Sequence, residues 1–117
     1  MALTAATRNT MLGTITTNVG YFSLHTADPG ASGTAEVSGG NYARQTADWG
    51  TASAGAVATD ADTVFTVPGS TTITHIGYWS AASGGTFYGS RSLDAPQTYA
   101  TEGTYTLASG NITESLT

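Results

Sequence analysis

The chain has 117 residues and no cysteine, so by size it is one domain, with neither a disulfide framework nor a thiolate metal site. Only 9% of its residues are charged, against about 25% in an ordinary soluble domain. Arg8, Arg44 and Arg91 are its only cations against eight carboxylates, for a net charge of -5, a balance that excludes recognition of a phosphate backbone.

In chain order, residues 4–13 (TAATRNTMLG) predict a short helix, with Thr4 as N-cap and Gly13 as its stop. Its apolar residues make no single stripe, so residues 1–19 are expected to be an N-terminal arm or short helix available to a neighbouring subunit. The same stretch lacks the charged start and continuous apolar run of a signal peptide. No segment reaches the roughly 18 apolar residues needed to span a membrane.

From Tyr21 the pattern is that of short strands. Tyr21–His25 is the first, and Tyr42–Trp49 the second, with Tyr42, Arg44, Thr46 and Asp48 on one face. Between them lies a loop with hard turn signals at Asp28-Pro29-Gly30 and Ser38-Gly39-Gly40 and a single acid, Glu36. Two such signals in one connection specify a loop's shape, and shaped loops carry function or docking. Arg44 returns beside this loop and is expected to pair with Asp28 or Glu36 and pin it.

A brief strand is expected at Ala56–Ala58 and a strong one at Thr63–Val67, closed by Pro68-Gly69. Thr71–Ser80 alternates most clearly, with Ile73, His75, Gly77 and Trp79 on one face and Thr72, Thr74, Ile76 and Tyr78 on the other. Ser83-Gly84-Gly85 turns it into a hairpin with Thr86–Arg91, and Asp94-Ala95-Pro96 reads as a further turn. Tyr105–Ala108, Ser109-Gly110-Asn111 and Ile112–Leu116 read as a closing hairpin. About eight short strands with regular turns predict an all-β protein over residues 20–117, a single β-sandwich, Ig-like or jelly-roll-like.

Few residues invite chemistry. His25 and Asp28 with plentiful serines could suggest a Ser-His-Asp arrangement, but no G-x-S-x-G elbow exists. The plainer reading is that His25 ends a strand and hydrogen-bonds into the 26–30 turn, while Asp28 closes an Asx turn ahead of Pro29. His75 reads as a satisfied, half-buried histidine. Asp60-x-Asp62 lacks the glycine and later Glu of a calcium loop, so no catalytic, metal or cofactor residue is assigned. Tyr78, Trp79, Phe87 and Tyr88 share one hairpin and could stack on a glycan; Trp79 and Phe87 also suit a core. A surface of Thr, Ser and Gly loses little side-chain entropy when covered, which suits an extended interface.

The blocks Leu24–Gly30 (LHTADPG), Glu36 and Gly40–Arg44 (GNYAR) resemble a family of small tailed-phage and prophage virion proteins. Phe65–Gly69, Thr72–Ser80, Gly84–Phe87 and Gly103–Thr106 look alike too, so the similarity spans about residues 20 to 108. It implies a non-enzymatic structural protein of the virion, assembled in the bacterial host cytoplasm, without cofactors. Two roles fit. The first is a minor capsid or decoration protein cementing the major capsid protein shell, as a homo-oligomer, a trimer at threefold sites being one arrangement. The alternative is a tail-fibre or minor tail protein, with other tail proteins as partners and a receptor- or glycan-binding sandwich. Compactness, without coiled-coil heptads or fibrous repeats, leans to the first. His25, Asp28, Pro29, Gly30, Glu36, Tyr42 and Arg44 are the loop and interface candidates, and Tyr78, Trp79, Phe87 and Tyr88 the glycan candidates.

Overall fold

A computed structural model describes residues 4–51, 53–54 and 56–108, together with the backbone of 113–115. Its first element is a helix, α1 (Ala5–Asn18), capped by Thr4, whose Oγ1 accepts from the Thr7 N–H at 3.2 Å. The expected stop at Gly13 does not operate. A glycine inside a helix costs about 1 kcal/mol against alanine, and tertiary anchoring of the following turn offsets it. Leu12 is fully buried, Ile15 packs against the core, and Val19 lies within it, its N–H donating to the Ile15 carbonyl at 2.8 Å. The helix also packs on β3 (Ala56–Ala58). The expected arm is therefore a helix whose C-terminal end belongs to the core.

The main sheet is antiparallel throughout, with its strands in the order 45–46, 21–25, 71–79 and 87–99. Its centre is β1 (Tyr21–His25) against β5 (Thr71–Trp79), in the register Phe22↔Tyr78, Leu24↔Ile76, His25↔His75. β2 (Gln45–Thr46) and β6 (Phe87–Tyr99) flank them. Opposite stands a ladder of β4 (Thr63–Val67) and β7 (Gly103–Leu107). Phe22, Leu24, Ile76 and Tyr78 from the sheet meet Phe65, Val67 and Leu107 from the ladder in one core. In β4 the alternation is direct: Thr63, Phe65 and Val67 are buried, while Val64 is 51% exposed. β3 pairs with β8 (Thr113–Ser115). The result is a small β-sandwich with an N-terminal helix.

Four expectations are corrected. The second strand shrinks from Tyr42–Trp49 to Gln45–Thr46, because Tyr42 and Arg44 turn their side chains back onto Glu36 instead of standing in a ladder. Ile73 does not share a face with His75: a register shift between them reverses the phase, and Ile73 enters the core with Ile76. Asp94-Ala95-Pro96 is a bulge rather than a turn. Thr74 alone lies between the pairs Ile73↔Gln97 and His75↔Ser92, whereas Leu93 to Pro96 lie between them on β6. Proline, with no N–H to offer, is tolerated at a bulge in an edge strand. Finally, β7 and β8 form no hairpin, since β7 pairs with β4 and β8 with β3. The expected turn at Ser109-Gly110-Asn111 and the ends of its second strand, Ile112 and Leu116, lie outside the described residues.

Candidate functional site

The loop from Thr26 to Arg44 folds back over the face of the main sheet that is turned away from the core. The Asp28 carboxylate accepts from the Gly30 N–H at 2.9 Å, closing the turn around a fully buried Pro29. The Pro29 carbonyl then takes the N–H groups of Gly33 and Thr34, both at 3.1 Å. Gly33 adopts φ +77° and packs closely against the indole of Trp79: a Cβ there would come within 2.5 Å of Cζ2. The chain next runs antiparallel to the end of β1, through a His25↔Glu36 bridge and a Val37 N–H to Leu24 carbonyl bond of 2.9 Å.

Arg44 locks this loop. Its Nε and Nη2 reach the two oxygens of Glu36 at 3.0 and 2.9 Å, and Nη1 donates to the carbonyls of Ala81 and Gly84 at 2.9 and 2.8 Å. Its guanidinium carbon lies 3.7 Å from the centroid of the Trp79 ring it covers. The Arg44 side chain is 8% exposed. One side chain thus ties the loop, the β5–β6 turn and an aromatic of the sheet together, as the planar fork of arginine permits and lysine does not. The Tyr42 hydroxyl donates to Glu36 at 2.9 Å and accepts from the Leu24 N–H at 3.0 Å. Of the two acids expected as partners for Arg44, the one it meets is Glu36.

Beneath the loop lies a buried polar chain. The Trp79 indole N–H donates to Ser23 Oγ at 2.8 Å, Ser23 lies 2.6 Å from His25 Nε2, and His25 Nδ1 lies 2.8 Å from the Thr34 carbonyl. A carbonyl only accepts, so His25 carries its proton on Nδ1 and takes the serine proton on Nε2. His25 therefore bonds to Thr34, further round the loop than the expected 26–30 turn. Ser23 and His25 are both completely buried, so no substrate reaches the serine oxygen. The arrangement holds the loop to the sheet. It was legible in part, since Ser23 and His25 alternate in phase on one strand and Gly77 and Trp79 on its partner. Among the described residues, no group of three or more His, Asp or Glu side chains could hold a metal ion.

His25 and Glu36 both make this assembly favour neutral over acid pH. Burial holds the His25 imidazole below its ordinary 6.5, outweighing the Thr34 carbonyl and the charge of Glu36. Burial pushes the Glu36 carboxyl up, but hydrogen bonds from Arg44 and Tyr42 and the guanidinium charge more than reverse this, holding it below 4.5. In each case the unfolded chain binds its proton first, so stability is full above the unfolded value and lost as pH falls through the folded one. Thermal melts should therefore show a Tm that declines in two stages on acidification, the first below about pH 6.5 and the second below about pH 4.5. A Tm unchanged from pH 7 to 3 would contradict this coupling.

The aromatic hairpin does not present a platform. Tyr78 is 7% exposed and faces the core, where its ring centroid lies 5.6 Å from that of Phe22. Trp79, 8% exposed, points the other way, with its ring centroid 5.1 Å from that of Phe87. Only Tyr88, 47% exposed, remains open. His75 is half-buried, its Nδ1 2.8 Å from Thr74 Oγ1. A different concavity exists where the β6 bulge leaves the mouth of the sandwich open. It has a volume of about 620 Å³, with Ile76 and Leu107 lining its base and Arg91, Asp94, Gln97 and Tyr105 around it.

No curated protein matches the chain. A family model does, over residues 2–115, and its description is podophage GP4 fiber I protein gp80. That description names a fibre, which favours the second virion role expected above over capsid decoration. With all but the extreme ends of the sequence matched, the chain belongs to the podophage GP4 fiber I protein gp80 family and is a structural protein of the phage virion.

Proposed function

We propose that this chain is a component of the phage tail fibre rather than of the capsid shell. The observation that carries the reading is the match to a fibre family across residues 2–115. Its partners are then other tail proteins, with α1 (Ala5–Asn18) as an attachment element and the β-sandwich that follows it as the displayed unit. The fold suits such a part. The 26–44 loop is cross-linked by Arg44 and Glu36 and backed by Trp79, so it is held in one shape before any partner arrives, which lowers the ordering cost of contact. A non-enzymatic role fits this reading: the Ser23–His25 pair, which resembles catalytic machinery, is sealed from solvent.

Immunogold labelling of intact particles with an antibody to the folded chain tests this directly. Label clustered at the tail is the expected result. Uniform label over the heads would return the protein to the shell-decoration role and end the fibre reading.

A further inference from the structure

We propose that the open mouth of the sandwich, between the β6 bulge and β7, is a binding site for an uncharged pyranose unit of a glycan. This rests on the fibre reading only for its biological setting; the chemistry stands on the cleft alone. Its volume of about 620 Å³ falls in the range of roughly 300–1,000 Å³ of ligand sites. The bulge makes it. With Leu93 to Pro96 opposite the single residue Thr74, β6 departs from β5 and uncovers the edge of the core.

The lining selects the ligand. Ile76 and Leu107 give an apolar base, and the half-buried Tyr105 adds a ring whose centroid lies 6.4 Å from that of Phe65. Asp94, Ser92 and Gln97 are exposed beside it, and Arg91 is half-buried. A pyranose has an apolar C–H face and a rim of hydroxyls, each both donor and acceptor. A tyrosine ring and aliphatic base match the face; a carboxylate, an amide and a guanidinium match the rim. An anion fits poorly, since the one cation of the cleft is accompanied by Asp94. A lipid chain fits poorly too, because the walls are polar. The hairpin aromatics considered from sequence are not part of this cleft.

The test is titration of the full chain with methyl α-glucopyranoside, methyl α-mannopyranoside, methyl β-galactopyranoside and N-acetylglucosamine, followed by backbone amide NMR. Polysaccharide purified from the host surface and inorganic phosphate are run in parallel. At least one sugar should shift the amides of residues 91–97 and 105–107, with a Kd on the order of 1 mM, as expected for a small neutral ligand with few contacts. Asp94→Ala and Gln97→Ala, both at exposed positions, should each weaken that binding about tenfold without lowering Tm. Polysaccharide binding that is lost in the same variants extends the site from the free sugar to the polymer. No shift with any sugar, shifts confined to other surfaces, binding that survives both variants, or a response to phosphate alone would each overturn the site. None of these bears on the gold label, so the site and the fibre reading fail separately.

Discussion

Arg44→Ala lowers stability by about 3 kcal/mol, toward the lower end of what removing one partner of a buried ion pair costs. The lower end applies because the Glu36 side chain is 23% exposed and can recover some hydration once unpaired. The loss has three sources: the two-point contact with Glu36, the two carbonyl bonds to Ala81 and Gly84, and the cation stacked on Trp79. For a domain of this size that corresponds to a fall in Tm of roughly 10–20 °C. Arg44→Lys recovers less than half of it, since an ammonium cannot reach both oxygens of Glu36 and both carbonyls together. Urea denaturation measures both variants, and a Glu36→Gln partner closes a double-mutant cycle. An Arg44→Ala protein that melts with the parent would show that the loop holds its shape without this side chain.

Gly77→Ala is at least as damaging, at about 3–5 kcal/mol, combining overpacking with the loss of a buried hydrogen bond. Gly77 faces Ser23 across the central strand pair. An added Cβ would overlap Ser23 Oγ and come within 2.5 Å of His25 Nε2. Neither neighbour can retreat. Both are fully buried, and each already holds a partner, Ser23 the indole of Trp79 and His25 the carbonyl of Thr34. Either β1 and β5 separate or the polar chain breaks, and both outcomes release the loop from the sheet. Urea denaturation reads the stability, and near-ultraviolet circular dichroism reads the packing of Trp79. A variant within 0.5 kcal/mol of the parent, a tolerance taken from ordinary surface substitutions, would contradict the packing described for this strand pair.

How much of this was legible in sequence follows from how local each signal is. The bounds of β1, β3 and β4 follow from apolar alternation and flanking turn residues, and those of β5 to within one residue. Thr4 declares its helix through a cap that depends on three neighbours. The pairing of Arg44 with the loop acid follows from scarcity of charge, although Glu36 and Asp28 could be separated only once the loop path was known. Partner choice is not local. Nothing in Tyr105–Leu107 says that it pairs with Thr63–Val67 and not with the strand that follows it. The Asp94-Ala95-Pro96 signal marks a real break in the ladder, but a bulge and a turn use the same residue types. The Ser23–His25–Trp79 chain needed the register of β1 on β5 before its members could be seen to meet.

The 26–44 loop and the β6 cleft sit on different parts of the sandwich and divide the proposed labour. The loop gives a surface held in one shape by Arg44 and Glu36, and the cleft gives the concave polar site proposed for a small ligand. The biological setting proposed for each follows from one placement in the particle, although the cleft's chemistry does not. A focused cryo-EM reconstruction of the intact virion tests that placement most directly. The account predicts density for this β-sandwich and its helix at the tail, with the helix toward neighbouring tail proteins. Density for the same fold repeated over the capsid lattice, and none at the tail, would contradict it.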